Sequence, residues 1–265
     1  MFEIIKEHKE NFSKIFKLAK VDLIKSYKGS FLGWLWTIIK PGVTIFVYWF
    51  TIEIGLKTSK FRHGYPNFLW LIASIVPWFY FSEMITGGPS SLRNYNYLVT
   101  KLKFPISIIP TIINISRFSV HILLELFVIL IFMLNGYPID SYVLQIFFYM
   151  LMGFLFFEAW GLFSSVLGAI SKDFLNLIKS INILVFWMSG ILWDVDAISI
   201  VWVKKLLLFN PIAYLIDGYR NCFINKIYFY EQPVRLLVFI GILLALTTLA
   251  GICHKKLRKD VPDVL

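Results

Sequence analysis

The sequence predicts an all-α integral membrane protein with an N-terminal amphipathic interfacial helix, six transmembrane helices, and two short re-entrant helices between spans five and six. Three observations carry that fold class. Of 265 residues, 58% are hydrophobic and only 16% charged, with a mean hydropathy of +0.72, too apolar for an ordinary soluble domain. Several windows of about 20 residues with few or no charges are long enough to cross a hydrocarbon core of roughly 30 Å as a helix. These runs are continuous rather than alternating, and backbone groups in lipid must be bonded within the segment, so helices are selected over a barrel.

Residues 1–30 form the interfacial segment. Ile5, Phe12, Phe16, Ala19 and Leu23 recur at helical spacing, with Lys14, Lys17, Lys25 and Lys28 mostly opposite. Such a helix lies in the headgroup plane, apolar face down. No cleavable signal peptide is expected, because this stretch is charged throughout. The transmembrane domain covers 31–255, with spans at 34–56, 67–86, 105–134, 142–170, 174–193 and 233–253. Turn residues separate them: Gly64 to Pro66, Gly87-Gly88-Pro89, Asn135-Gly136 with Pro138, and Ser171 to Asp173. The third and fourth spans exceed what a bilayer needs, so each projects or tilts. A short tail, 256–265, follows.

Net charge is +10, but no basic soluble domain exists to bind nucleic acid. With the N-terminus inside, sixteen Lys and Arg fall in inner segments and seven in outer ones, among them Lys60. That bias places both termini in the cytoplasm. Cys222 and Cys253 lie on opposite faces in this topology, which excludes a bridge within one chain, and Cys222 is expected to be reachable from outside. No metal or phosphate-loop motif appears.

The outer stretch near 197–225 is too long and apolar for a plain loop. Residues 197–208, beginning at Ala197, are too short to span and end at Asn210-Pro211; a second helical stretch, 212–225, follows. A re-entrant pair accounts for both, and its backbone then needs protein or a water-filled cavity around it; two interfacial helices without a gating role are the other reading. Ionisable groups within spans are Lys40, Glu53, Glu83, Arg117, His121, Glu125 and Glu158. Arg117, His121 and Glu125 share one helix face. A polar seam between helices is favoured there over a proton relay, with Arg117 snorkelling inward. Glu53 and Glu83 are placed near outer ends, reaching water. Aromatic residues reach 18%; most suit interfacial belts and packing, and Trp34, Trp36, Tyr48 and Trp49 are the candidates for a translocation pathway.

The inner loop, near 90–103, reads as a short amphipathic helix after Gly87-Gly88-Pro89, with Leu92, Tyr95, Leu98 and Leu102 beside Arg93, Asn94, Asn96, Lys101 and Lys103. It suits either a docking partner or a membrane-surface connector.

Several pieces, in order and spacing, resemble the transmembrane subunits of ABC-type polysaccharide exporters, the ABC-2 family. They are Leu32-Gly33-Trp34-Leu35-Trp36 with Pro41, Lys103-Phe104-Pro105, Lys172-Asp173, and Asn210-Pro211 with Tyr214 and Arg220. Within that group, Tyr48-Trp49-Phe50, Ile75-Val76-Pro77-Trp78-Phe79, Phe104-Pro105-Ile106-Ser107 and Asp217 to Phe223 are similar to wall teichoic acid exporters of Gram-positive bacteria. The likeness runs from about Tyr27 to the C-terminus. The chain departs at Ser26, where the family is usually basic, at Gly190 in place of a nearby Pro, and at Lys172 in place of Arg; Arg117 is outside the family pattern.

The resemblance implies a homodimer in the bacterial cytoplasmic membrane, bound to two separate ATPase subunits that hold ATP and Mg2+. This chain would then carry no cofactor and no catalytic residue. It implies an ATPase-coupling helix at Arg93, Asn94, Tyr95, Tyr97, Leu98 and Lys101, and an outer gate at Asn210, Pro211, Tyr214 and Arg220. The implied substrate is a polymer on undecaprenyl diphosphate, wall teichoic acid first and O-antigen or capsular polysaccharide as the alternative. Its diphosphate would meet Lys25, Lys28 and Lys40, since lysines hold phosphates as mobile point charges. A polytopic acyl or glycosyl transferase is the remote alternative; it needs convergent acids or histidines on one face, and the sequence offers scattered singles.

Overall fold

The computed structural model describes residues 2–57, 61–101, 104–195 and 198–265. Lys60, Leu102, Lys103 and Ala197, and the side chain of Lys101, lie outside the described residues. In chain order the helices are α1 (Phe2–Glu10), α2 (Phe12–Tyr27), α3 (Trp36–Trp49), α4 (Asn67–Asn94), α5 (Asn96–Lys101) and α6 (Ile108–Leu134). They continue as α7 (Ile146–Ile170), α8 (Lys172–Met188), α9 (Val201–Leu208), α10 (Pro211–Arg220), α11 (Pro233–Leu257) and α12 (Val261–Val264). A two-stranded hairpin, Phe61–Arg62 with Tyr65–Pro66, leads into α4. Short 3-10 and π turns lengthen α3 to Gly33–Gly55 and α7 to Val143–Ile170.

Among the described residues, five helices are long and apolar enough to cross a bilayer: α3, α4, α6, α7 and α11. The remaining expected span is α8, whose 17 residues fall at the lower limit of a crossing. It runs antiparallel to α4 through matching depths. Asn182 Nδ2 donates to Ser82 Oγ at 2.9 Å, and Ser74 Oγ donates to the Ile191 carbonyl at 3.0 Å.

α4 is the axis of the bundle. Its apolar window is 78% buried, against 6% for α3, and Trp70, Phe81 and Met84 are buried in one cluster with Tyr149 and Phe157 of α7 and Tyr219 of α10. The sequence expectation of a turn at Gly87-Gly88-Pro89 is overturned: α4 continues unbroken to Asn94. Pro89 cannot donate to the Ile85 carbonyl, and Trp160 Nε1 of α7 donates to it instead at 3.2 Å. The glycines serve close packing. A Cβ on Gly88 would lie 3.2 Å from Gly161 Cα, and one on Gly161 would lie 3.2 Å from Pro110 of α6. Gly168 sits directly against the Pro89 carbonyl.

Both termini lie at one end of the bundle, called here the terminal end. The expected single interfacial helix is broken at Asn11 into α1 and α2. Its apolar residues divide between two faces. Ile15 and Ala19 pack on Ile108 and Ile112 of α6, whereas Phe2, Ile5, Phe12 and Phe16 remain exposed. His8 pins α1: its Nδ1 meets the Ile4 carbonyl and its Nε2 meets Thr111 Oγ1, both at 2.7 Å. Thr111 gives its own proton to Glu158 Oε1 at 2.5 Å, so both ring nitrogens donate and the ring is an imidazolium. Burial alone would lower the His8 pKa, but the hydrogen bonds and charge of Glu158 and the Ile4 carbonyl raise it above 6.5. The tail is not free: Val261 of α12 is buried with Leu92, Val99 and Val166, and Asn96 Nδ2 donates to the Leu265 carbonyl at 3.0 Å.

At the opposite, distal end, α9 lies largely exposed while α10 is buried among α4, α7 and α11. The chain enters and leaves α10 at that end. Asn210 Nδ2 donates to the Met188 carbonyl and Ser189 Oγ, each at 3.1 Å, and beyond α10 Gln145 Nε2 donates to the Ile227 carbonyl at 2.9 Å.

Gly168→Ala drives a Cβ into backbone that cannot retreat without moving α4. It is expected to cost about 1–3 kcal/mol, while Gly241→Ala, facing open space, changes little; equal thermal midpoints for the two in detergent would overturn the packing assignment. Because the His8 pKa is raised, its contribution is full below 6.5 and is lost as pH rises through the higher folded value. The stability gap between wild type and His8→Gln should therefore narrow as pH rises above 6.5, as read by thermal unfolding.

Candidate functional site

Between α2, α3, α4 and α6, at the terminal end, is a cavity of about 690 Å³. α2 supplies Asp22 and Lys25, α3 supplies Trp36 and Lys40, α4 supplies Glu83, and α6 supplies Arg117. Arg117 is the hub: its Nη2 is 3.7 Å from Asp22 Oδ2, its Nε 3.4 Å from Glu83 Oε2, and its Nη1 donates to Ser26 Oγ at 3.2 Å. Tyr95 closes the floor by donating to Asp22 Oδ1 at 2.5 Å. Burial, and then this bond, push the Tyr95 pKa up, so the phenol stays protonated. Lys25 Nζ sits 5.9 Å from the Tyr95 ring centre and Lys40 Nζ 5.9 Å from the Trp36 ring centre. Neither lysine forms an ion pair among the described residues, so the lining carries one more positive charge than negative.

A second, apolar pocket of about 440 Å³ adjoins the first and shares Thr37 and Val120 with it. Leu23, Ile24, Trp34 and Leu123 form its walls and Lys28 its edge. A cationic chamber beside an apolar one can accept an oxyanion and the hydrocarbon chain attached to it. The three expected lysines thus divide, Lys25 and Lys40 in the polar chamber and Lys28 on the apolar one.

Sequence reasoning missed Asp22, Glu83 and Arg117 as members of this site. Asp22 is the only acid in α2 and lies three residues beyond the buried Ala19, a signal available in the sequence. Glu83 was expected near an outer end; it lies at the terminal end against Arg117. Of the Arg117, His121 and Glu125 stripe, Arg117 and His121 both line the cavity. His121 is otherwise buried, stacked on Tyr80 at 5.0 Å and bonded to Tyr219 OH at 2.7 Å, with its Nδ1 3.7 Å from Glu125 Oε1.

The other expected residues are placed as follows. Arg93 Nε donates to the Gly168 carbonyl at 2.7 Å and its Nη2 to the Ala169 carbonyl at 2.6 Å, capping the end of α7. Asn94 and Tyr95 line the cavity; Tyr97 is 63% exposed and Leu98 half-buried on α5. Trp34 is exposed, Trp36 donates to Ser30 Oγ at 2.7 Å, and Trp49 Nε1 donates to Glu53 Oε2 at 2.7 Å. Tyr48 packs on Phe186 of α8 with the rings tilted, 5.5 Å between their centres. At the distal end Asn210 caps α10 through Ile212 N and Ala213 N, Pro211 opens that helix, Tyr214 packs on Phe239, and Arg220 is buried against Trp70. Cys222, expected to be reachable, is fully buried.

The family described as ABC-2 type transporter matches residues 13–224. The chain is 24% identical to the O-antigen export system permease protein RfbA of Myxococcus xanthus, covering 92% of this chain and 93% of that protein. It is 27% identical to the protein of the same name from Klebsiella pneumoniae, covering 97% and 98%.

Tyr95→Phe leaves an oxygen of Asp22 without its donor and unties α2 from the end of α4. It is expected to cost about 1.5–3 kcal/mol and to speed proteolytic cleavage after Lys28; a cleavage rate equal to wild type would reject the tie.

Proposed function

This chain belongs to the ABC-2 type transporter family, and from that premise we propose that it is the membrane-spanning subunit of an ATP-driven exporter of a lipid-linked polysaccharide. The paired chambers carry this reading. A diphosphate head suits the polar one, where Lys25 and Lys40 are mobile cations beside the fixed Arg117 group, and a polyprenyl chain suits the apolar one. In this reading α3, α4, α6, α7, α8 and α11 make six crossings, and the excess of Lys and Arg at the terminal end sets that end in the cytoplasm. The lipid then enters sideways from the inner leaflet.

ATP hydrolysis belongs to a separate subunit with its own Mg2+, and two copies of each chain assemble. The exposed edge of α5, with Tyr97 and Thr100, is the docking surface; Arg93 and Tyr95 position it from within. The relatives' names support an O-antigen-type polysaccharide rather than wall teichoic acid, and we take its carrier to be undecaprenyl diphosphate. α10, entering and leaving at the distal end, is the outer re-entrant element, with Asn210, Pro211, Tyr214 and Arg220 holding it.

Two variants in reconstituted vesicles with the partner ATPase separate the roles. Lys25→Glu with Lys40→Glu should reduce polymer export at least about tenfold while ATPase binding holds, because two cations become two anions at the headgroup. Tyr97→Asp should instead reduce ATPase association or its stimulation and leave the chain inserted. Export unaffected by the lysine pair would reject the headgroup site, and an active chain without any nucleotide-hydrolysing partner would reject the exporter.

A further inference from the structure

Three helices meet at Tyr95, the residue between α4 and α5. Its N–H donates to the Ser91 carbonyl of α4 at 3.2 Å, and its own carbonyl accepts from Leu98 N at 2.9 Å and Val99 N at 3.3 Å, in the first turn of α5. Its hydroxyl reaches α2, donating to Asp22 Oδ1 at 2.5 Å. One residue therefore ties α2 to the joint from which α5 starts. The cationic chamber touches the same joint, because Asp22, Lys25 and Tyr95 all line it. Lys25, one turn beyond Asp22 on α2, holds its Nζ 5.9 Å from the Tyr95 ring centre. Asp22 Oδ2 is buried and has no hydrogen bond among the described residues; Arg117 Nη2 lies 3.7 Å from it.

Exposure decides how the two acids of the chamber answer an arriving anion. The Asp22 side chain is 11% exposed and the Glu83 side chain 56%. A phosphate drawn to Lys25 brings negative charge beside both. Glu83 can turn from Arg117 to water at little cost, since an exposed ion pair is worth little. Asp22 has no such exit, and a buried carboxylate stripped of the Tyr95 hydroxyl or of Arg117 is left unmet. More negative potential around Asp22 makes it a stronger acceptor, so the bond from Tyr95 tightens. A Tyr95 held harder by its hydroxyl also fixes the carbonyl on which the first turn of α5 rests. We propose that Asp22 and Tyr95 are positioning residues that report occupancy of the chamber by an anionic headgroup to α5, which becomes firmer when the chamber is filled. This rests on the headgroup reading of the chamber and adds a coupling between that site and the docking surface. By linkage the coupling runs both ways, so a partner that firms α5 raises the affinity for the headgroup.

Amide hydrogen exchange of the full chain in nanodiscs, without any ATPase, tests it. The probe is geranylgeranyl diphosphate, added to saturation so that differences in affinity do not enter, and geranylgeraniol is the uncharged control. The diphosphate should slow exchange in the first turn of α5 at least about fivefold, and the alcohol should not. In Tyr95→Phe that slowing should fall below about twofold. Should that variant not fold or not bind, Asp22→Asn, which keeps an acceptor and makes the chamber more positive, should lose the slowing likewise. Glu83→Gln, which leaves the Asp22 and Tyr95 bond in place, should keep it. A Tyr95 that only braces the fold would raise exchange with and without the probe alike and leave their ratio unchanged. That result, an equal response to the alcohol, an equal loss in Glu83→Gln, or an α5 that does not respond although wild type binds the diphosphate overturns the coupling and leaves the headgroup site standing. A wild type that does not bind the diphosphate overturns the headgroup site, and the coupling with it.

Discussion

Backbone contact between α4 and α7 sets the rest of the molecule. Gly88 against Gly161 and Gly168 against the Pro89 carbonyl bring the two helices closer than side chains would allow. In a membrane, where no hydrophobic force drives helix against helix, small residues and interhelical hydrogen bonds do that work. Trp160 completes the junction by bonding the carbonyl that Pro89 leaves open, and Arg93 closes it by capping α7. The unbroken α4 then carries Glu83 along its length and Tyr95 at its C-cap, one contacting Arg117 and the other Asp22. A turn at Gly87 would have separated them.

The cavity built on that helix has a fixed part and a mobile part. Arg117, held by Asp22, Glu83 and Ser26, is fixed by three groups on two helices, so its charge is largely answered. Lys25 and Lys40 are not. Their stems reach the rim, and their ammonium groups hover over Tyr95 and Trp36 at distances where attraction is weak. A loosely held cation gives up little on meeting a phosphate, whereas a paired one must first lose its partner. The arrangement favours capture by the lysines and shape from the arginine.

Much of the fold was legible because hydrocarbon imposes its length on the sequence. The spans at α3, α6, α7 and α11 follow from uninterrupted apolar runs, and Asn210-Pro211 marked the start of α10 through ordinary capping chemistry. What misled was local punctuation. Gly-Gly-Pro is a turn signal in water, but within a bundle another helix can satisfy the freed carbonyl, and only the position of Trp160 decides between the two. The site was half legible. Lysines stand out against lipid-facing sequence, but Asp22 and Glu83 matter through Arg117, some 91 residues from Ser26, the residue it bonds, and no periodicity joins segments so far apart. The apolar face of the N-terminal helix was ambiguous for a similar reason: two stripes of hydrophobic residues exist, and the sequence does not tell which of them α6 covers.

The two ends of the molecule are joined by polar contacts where water cannot substitute for them. His121 stacks on Tyr80 of α4 and bonds Tyr219 of α10, while Tyr80 OH donates to Asn114 Oδ1 at 2.6 Å and Asn114 Nδ2 donates to Glu158 Oε2 at 2.9 Å. Glu158 in turn accepts from Thr111, which accepts from His8. In water each of these bonds could be exchanged for one to solvent at little net cost; in a buried, low-dielectric setting a broken one leaves an unmet group. α10 therefore cannot shift against α6 without either carrying His121 along or stranding it, and a shift of α6 disturbs Arg117 one turn away. The element that seals the distal end and the cavity at the terminal end thus share a single helix as their common support.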